Sequence, residues 1–92
     1  MDRLALLEAA MIAVQQRRDE YGSPRRRHGR SAVMWTAIMG VEFTPEQVAL
    51  CLAAMKIARL SENADHQDSW VDLAGYAATG SECLHERQKT NG

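Results

Sequence analysis

Leu4, Leu7, Met11 and Val14 recur at three- and four-residue intervals, and Leu6 and Ala10 widen the same stripe. That period predicts an amphipathic helix over residues 3–20, with a polar end from Gln15 to Glu20. The segment "YGSPRRRHG" interrupts the pattern, since Gly22, Pro24 and Gly29 are each read as breaks. A second, short helix is expected over 30–39, carrying Ala32, Trp35 and Ile38 or Met39 on one side. "GVEF" leads to the clearest boundary, "TPEQ", in which Thr44 is an N-cap, Pro45 suits the first helical position and Gln47 completes a capping box. The helix it opens, over 45–60, is apolar nearly all round through "VALCLAAM", the pattern of a helix covered on several sides. "SENADHQ" reads as a loop, with Asp65 and the Asp68 that follows it as two possible caps, and the last helix is expected from 66–68 to about 85. On that helix Val71, Ala74 and Ala78 share one side, and Leu73, Ala77 and Leu84 an adjacent one. Gly75, Gly80 and the alanines admit another helix at close range, at some cost in helix propensity. "HERQKTNG" is expected to fray, and no strand alternation appears. The fold class is therefore all-α: a compact four-helix bundle whose core is formed by two long helices, with one domain over 1–86 and a tail over 87–92.

Composition narrows this further. Ninety-two residues hold one core, and 46% hydrophobic content is enough for it to fold. Core area is limited at that size, so a homo-oligomer that buries more surface is expected. Eleven basic and twelve acidic residues give a net charge of -1, yet Arg17, Arg18, Arg25, Arg26, Arg27 and Arg30 crowd one region. No charged-then-apolar leader is present, and no apolar run approaches the roughly 20 residues that span a bilayer. A cytoplasmic protein without membrane partners is the expectation. Cys51 and Cys83 are too few for a zinc site and are read as a pair of buried thiols.

The candidate chemistry centres on "DSWVDLAGYA". Asp68 and Asp72 lie four apart, so both carboxylates project from one helix face and repel by a few tenths of a kcal/mol. Lys56 and Arg59 end the preceding helix, and a short hairpin brings the two pairs together. The plain outcome is a salt-bridge network that pins the hairpin. The functional outcome is a cleft in which Lys56 and Arg59 face a phosphate or carboxylate. Magnesium at Asp68 and Asp72 is the sharper alternative. It is disfavoured because basic residues stand where a metal would want acids. Arg26 and Arg27, in a loop that Gly22 and Gly29 let bend, are candidates to touch a small anion. Nucleic acid is disfavoured, since the chain is not basic overall and the arginine tract lacks interleaved aromatics. Trp70 and Tyr76 are the candidate stacking faces, Trp35 is read as core, and His28, His66 and His85 are read as surface residues.

"VALCLAAMKIARL" followed by "HQDSWVDLAGYAATGSE", with "EYGSP" and "W..IMGVEFTPEQVAL" upstream, resembles a family of small phage and prophage proteins of uncharacterised function. The resemblance covers nearly all of residues 4–86. More distantly it is similar to the all-α nucleotide pyrophosphohydrolases of the MazG and dimeric dUTPase kind, which set a Glu-Glu-x-x-Glu helix and a Glu-x-x-Asp helix around magnesium and assemble as dimers or tetramers. By that resemblance Asp72 takes the place of the second motif's aspartate, and Ser69 replaces its glutamate. The first motif is missing, with Lys56 and Arg59 on the helix that should carry it, and "RRRHG" departs from the usual acidic or apolar stretch. What the resemblance implies is an anion-binding helical pocket rather than a hydrolase.

The functional expectation is thus non-catalytic, cofactor-free binding of a nucleotide or nucleotide-derived signal, in the manner of a phage protein that sequesters a host defence messenger. Two alternatives stand beside it. One is a trimmed magnesium-dependent pyrophosphohydrolase that uses Asp68, Asp72 and Glu8 or Glu46. The other is a structural or protein-interaction module.

Overall fold

The computed structural model describes residues 1–91, with side chains through Lys89, as four helices: α1 (Arg3–Tyr21), α2 (Pro24–Met39), α3 (Pro45–Glu62) and α4 (Gln67–Asn91). Among the described residues there is no strand, so the all-α bundle expected from the pattern is what forms. None of these helices is long and apolar enough to cross a membrane.

Local capping chemistry sets the boundaries. Asp2 opens α1 by accepting from the Ala5 N–H at 2.9 Å. α2 begins six residues earlier than the pattern predicts, because the break at "YGSP" is narrower than its composition suggests. Gly22 absorbs the turn at φ +85°, and the Ser23 hydroxyl accepts from the Arg26 N–H at 3.3 Å. Pro24 then sits in the first helical turn, where its missing N–H removes no bond. "RRRHG" is therefore helix, not loop, and Gly29 lies in the helix interior. The Thr36 hydroxyl donates to the Ala32 carbonyl at 2.7 Å and accepts from the Phe43 N–H at 2.9 Å, which ties α2 to the turn that leaves it. Trp35 meets Phe43 edge to face there, with centroids 5.6 Å apart. The Thr44–Gln47 capping box opens α3 as expected, with both reciprocal bonds made.

α4 begins at Gln67, within the expected 66–68, but its cap and its far end differ from expectation. His66, not an aspartate, caps it: its Nδ1 accepts from the Ser69 N–H at 3.2 Å. Trp70 Nε1 donates to the Ala64 carbonyl at 2.8 Å and holds the loop against the helix. At the other end α4 runs past residue 85 to Asn91, and the Arg87 guanidinium pairs with Glu46 at the start of α3. Burial is the largest single influence on Glu46 and opposes its charge, but the Arg87 bond and charge, a backbone N–H and the Thr44 side chain together outweigh it and hold the carboxyl below its ordinary range. Gly92, the end of the expected tail, lies outside the described residues.

α4 packs against all three other helices, most extensively against α3. The seam is made of small residues. α3 contributes Val48, Ala49, Ala53 and Leu60, and α4 contributes Ser69, Gly80 and Cys83 to the buried set. A Cβ on Gly80 would come within 3.1 Å of the Ala49 Cβ, so the glycine sets the helix separation. The large apolar side chains sit elsewhere: sixteen of them are more than a third exposed. Leu4, Leu7 and Met11 of the α1 stripe are among them, as are Leu50, Met55 and Ile57 of α3. The covering expected around α3 is thus incomplete within one chain. Cys83 is buried as expected, but Cys51 is exposed on the outer side of α3.

Candidate functional site

Positions 72, 75, 76 and 79 of α4 follow helical spacing and turn one face toward α1 and α2. Across that face lies a narrow cleft of about 30 Å³ that opens to solvent. α1 adds Ala13, Val14 and Arg17 to its walls, α2 adds Arg27 and His28, and α4 adds Val71, Asp72, Gly75, Tyr76 and Thr79. A more polar, open compartment of about 280 Å³ adjoins it, lined by Gln16, Glu20 and Tyr21 and sharing Ala13, Arg17 and Asp72. Two guanidinium groups, an imidazole, a phenol and one carboxylate therefore face a mostly apolar hollow. The groups suit an anion with a flat, apolar portion.

The closed end of the cleft is the most constrained. His28 is 5% exposed, with Nε2 3.4 Å from the Thr79 hydroxyl oxygen, and that hydroxyl lies 3.4 Å from the Tyr76 carbonyl. The carbonyl takes the hydroxyl proton, which leaves Thr79 as acceptor and Nε2–H as donor. Beside it Arg27 Nε is buried and has no hydrogen-bond partner among the described residues. An unmet buried donor of this kind costs about 1–3 kcal/mol. Burial first, and then the Arg27 charge, push the His28 pKa below its ordinary value.

That depression has a sign for stability. Below the ordinary histidine pKa, near 6.5, the unfolded chain binds a proton that folded His28 refuses, so stability falls as pH drops through that value and on toward the folded pKa. Melting temperature should therefore decrease between pH 7.5 and 5.5, and His28→Gln should flatten that part of the profile. A wild-type slope that persists unchanged in the variant would assign the effect to other groups.

The structure brings together only part of the set read from the sequence. Asp72, Tyr76 and Arg27 line the cleft. Lys56 reaches Asp72 at 2.9 Å from α3, the hairpin contact expected, and its partly exposed geometry is worth no more than about 1 kcal/mol. Arg59 and Asp68 do not join it: both are exposed, and among the described residues neither has an ion-pair partner. Asp68 instead occupies the first turn of α4, where the helix dipole favours a carboxylate. Trp70 is committed to Ala64, and Arg26 is exposed near the start of α2, so neither lines the cleft.

Arg17, His28 and Thr79 are cleft residues that the sequence reading missed. His28 is buried, which corrects its reading as a surface residue, and His66 is the α4 cap. The signal for His28 was its spacing of four from buried Ala32, legible once α2 is extended back to Pro24. Among the described residues no three His, Cys, Asp or Glu side chains gather closely enough to hold a metal ion. Glu46 is engaged by Arg87, and burial pushes the Cys83 thiol up to about 11, which leaves it unreactive.

By fold this is a small helical bundle with a cleft of mixed apolar and cationic lining, and by sequence it belongs to the DUF6378 family, a domain of unknown function whose model matches residues 5–84. It is similar to the Gene 55 protein of Mycobacterium phage L5, at 49% identity over 73 residues, which is 78% of this chain and 47% of that protein. It is also similar to the Gene 55 protein of Mycobacterium phage D29, at 34% over 77 residues, 84% of this chain and 51% of that protein. The chain spans about half the length of these relatives. No solved structure matches.

Proposed function

We propose that the protein binds a nucleotide or nucleotide-derived signalling molecule in the α1–α2–α4 cleft and does not turn it over. The observation that carries this reading is Arg27, whose buried Nε has no partner while its side chain lines a cleft shared with Arg17 and His28. A phosphate there would accept from Arg27 and Arg17 in charge-assisted bonds. Tyr76, with Tyr21 in the adjoining compartment, offers an aromatic face for a base, and Asp72 an acceptor for ribose hydroxyls. Lys56 bears on the ligand through Asp72 rather than by facing phosphate. Among phage relatives such a binder would act by sequestering a host defence messenger, which needs retention and copy number but no metal or chemistry.

The test is a mixed panel of linear and cyclic nucleotides with magnesium, incubated with the protein and separated by filtration. The expected result is one class depleted from the filtrate and recovered intact from the denatured protein. Release of pyrophosphate and a monophosphate would establish the pyrophosphohydrolase alternative instead. A panel recovered wholly free would leave the structural module.

A further inference from the structure

The chain exposes too much surface for its mass. Its accessible area is 6432 Å², whereas a folded monomer of this size exposes roughly 5,400 Å². The radius of gyration is 13.9 Å, against about 12 Å for a compact chain of equal length. α3 also leaves large apolar side chains outside its buried seam. Lys56 turns inward to Asp72, while Leu50, Met55 and Ile57 point out at 66%, 67% and 56% exposure. Beside them on α2 lie Met34, Ile38 and Met39, also exposed, and Val41 continues the patch in the turn. These seven side chains leave uncovered on the order of 800 Å², more than the largest patch of a typical monomer and close to one partner's share of a standard interface.

We infer that this α2–α3 face is the contact between two copies of the chain. The excess surface is about what each partner of a stable dimer buries. The face carries both a ridge and a hollow: Leu50 and Ile57 stand one above the other at a spacing of seven, and about a quarter turn around α3 Cys51 joins Trp35, Ile38, Met39 and Phe43 in lining an apolar dimple. A two-fold contact needs one patch to be complementary to itself, and a ridge flanking a hollow meets that need. The seven patch side chains carry no charge, which leaves no desolvation penalty against closing it. The other apolar stripe, Leu4, Leu7 and Met11 on α1, is narrower and belongs to a helix packed chiefly on α4.

Light scattering and thiol labelling of the intact chain decide the matter. The solution mass should be twice the 10.3 kDa of one chain. It should fall to one chain in Leu50→Glu and in Ile57→Lys with helical circular dichroism retained, and stay doubled in Leu7→Glu. Cys51 labelling by a polar maleimide should slow by about tenfold or more from low to high micromolar protein in the wild type, an assay that needs no variant to fold. A single-chain mass at all concentrations overturns the inference, as does a doubled mass abolished only by Leu7→Glu, or a Cys51 rate independent of concentration. Single-chain protein that binds anionic phosphatidylglycerol vesicles would instead assign the face to a lipid surface.

Discussion

Arg27→Met should lower affinity for the retained nucleotide by about a hundredfold, roughly 2.7 kcal/mol, and leave the melting temperature unchanged or higher. The two halves of that result have one cause. In the ligand-free protein the guanidinium holds a buried Nε–H with no acceptor, so an isosteric apolar side chain removes a cost of about 1–3 kcal/mol. A phosphate bound in the cleft would pair with the Arg27 guanidinium, and losing that side chain would leave the anion with Arg17 alone. Arg27→Lys should not restore binding, because an ammonium lacks the planar fork that serves two oxygens. Calorimetry for affinity and a thermal melt for stability check both halves. A variant that melts lower yet binds as before would make Arg27 a structural residue and sink the binding site.

Gly80→Leu should destabilise the fold by about 3 kcal/mol and drop Tm by more than about 10 °C. The Cβ alone would stand 3.1 Å from the Ala49 Cβ, and the remaining side-chain atoms would have to enter a seam already filled by Val48 and Cys83. Gly80→Ala is the graded control. Its tight contact is offset by a gain in helix propensity of about 1 kcal/mol, so it should melt near the wild type. If the leucine variant also melts like the wild type, α3 and α4 do not approach as closely as described.

Helix number was legible because capping chemistry is local: Thr44 and Gln47 announce α3 whatever surrounds them. The Lys56–Asp72 contact was legible too, since a short hairpin constrains which helix ends can meet. What failed were inferences that weighed composition over geometry. "RRRHG" looked like a loop because arginines and a glycine are polar or permissive, yet a serine cap and a leading proline were enough to make it helix. That one misplacement hid His28 and put Arg27 on an expected loop rather than on the helical wall of the cleft. The α3–α4 seam was hidden for a different reason. Ser69 and Gly80 are not apolar, so a search for hydrophobic stripes finds the outer faces of the helices first.

That seam changes how the chain tolerates variation. In an ordinary small domain, leucines and methionines are the positions that resist substitution, and alanines on the surface drift freely. Here a library scored for folding of the single chain should read the other way. Enlargement at Ala49, Ala53 or Ser69 should be purged, while Leu50, Met55 and Ile38 accept polar replacements. Architecture and outer surface are thus set by different residues, so the apolar coat of this chain can change without disturbing the way it folds.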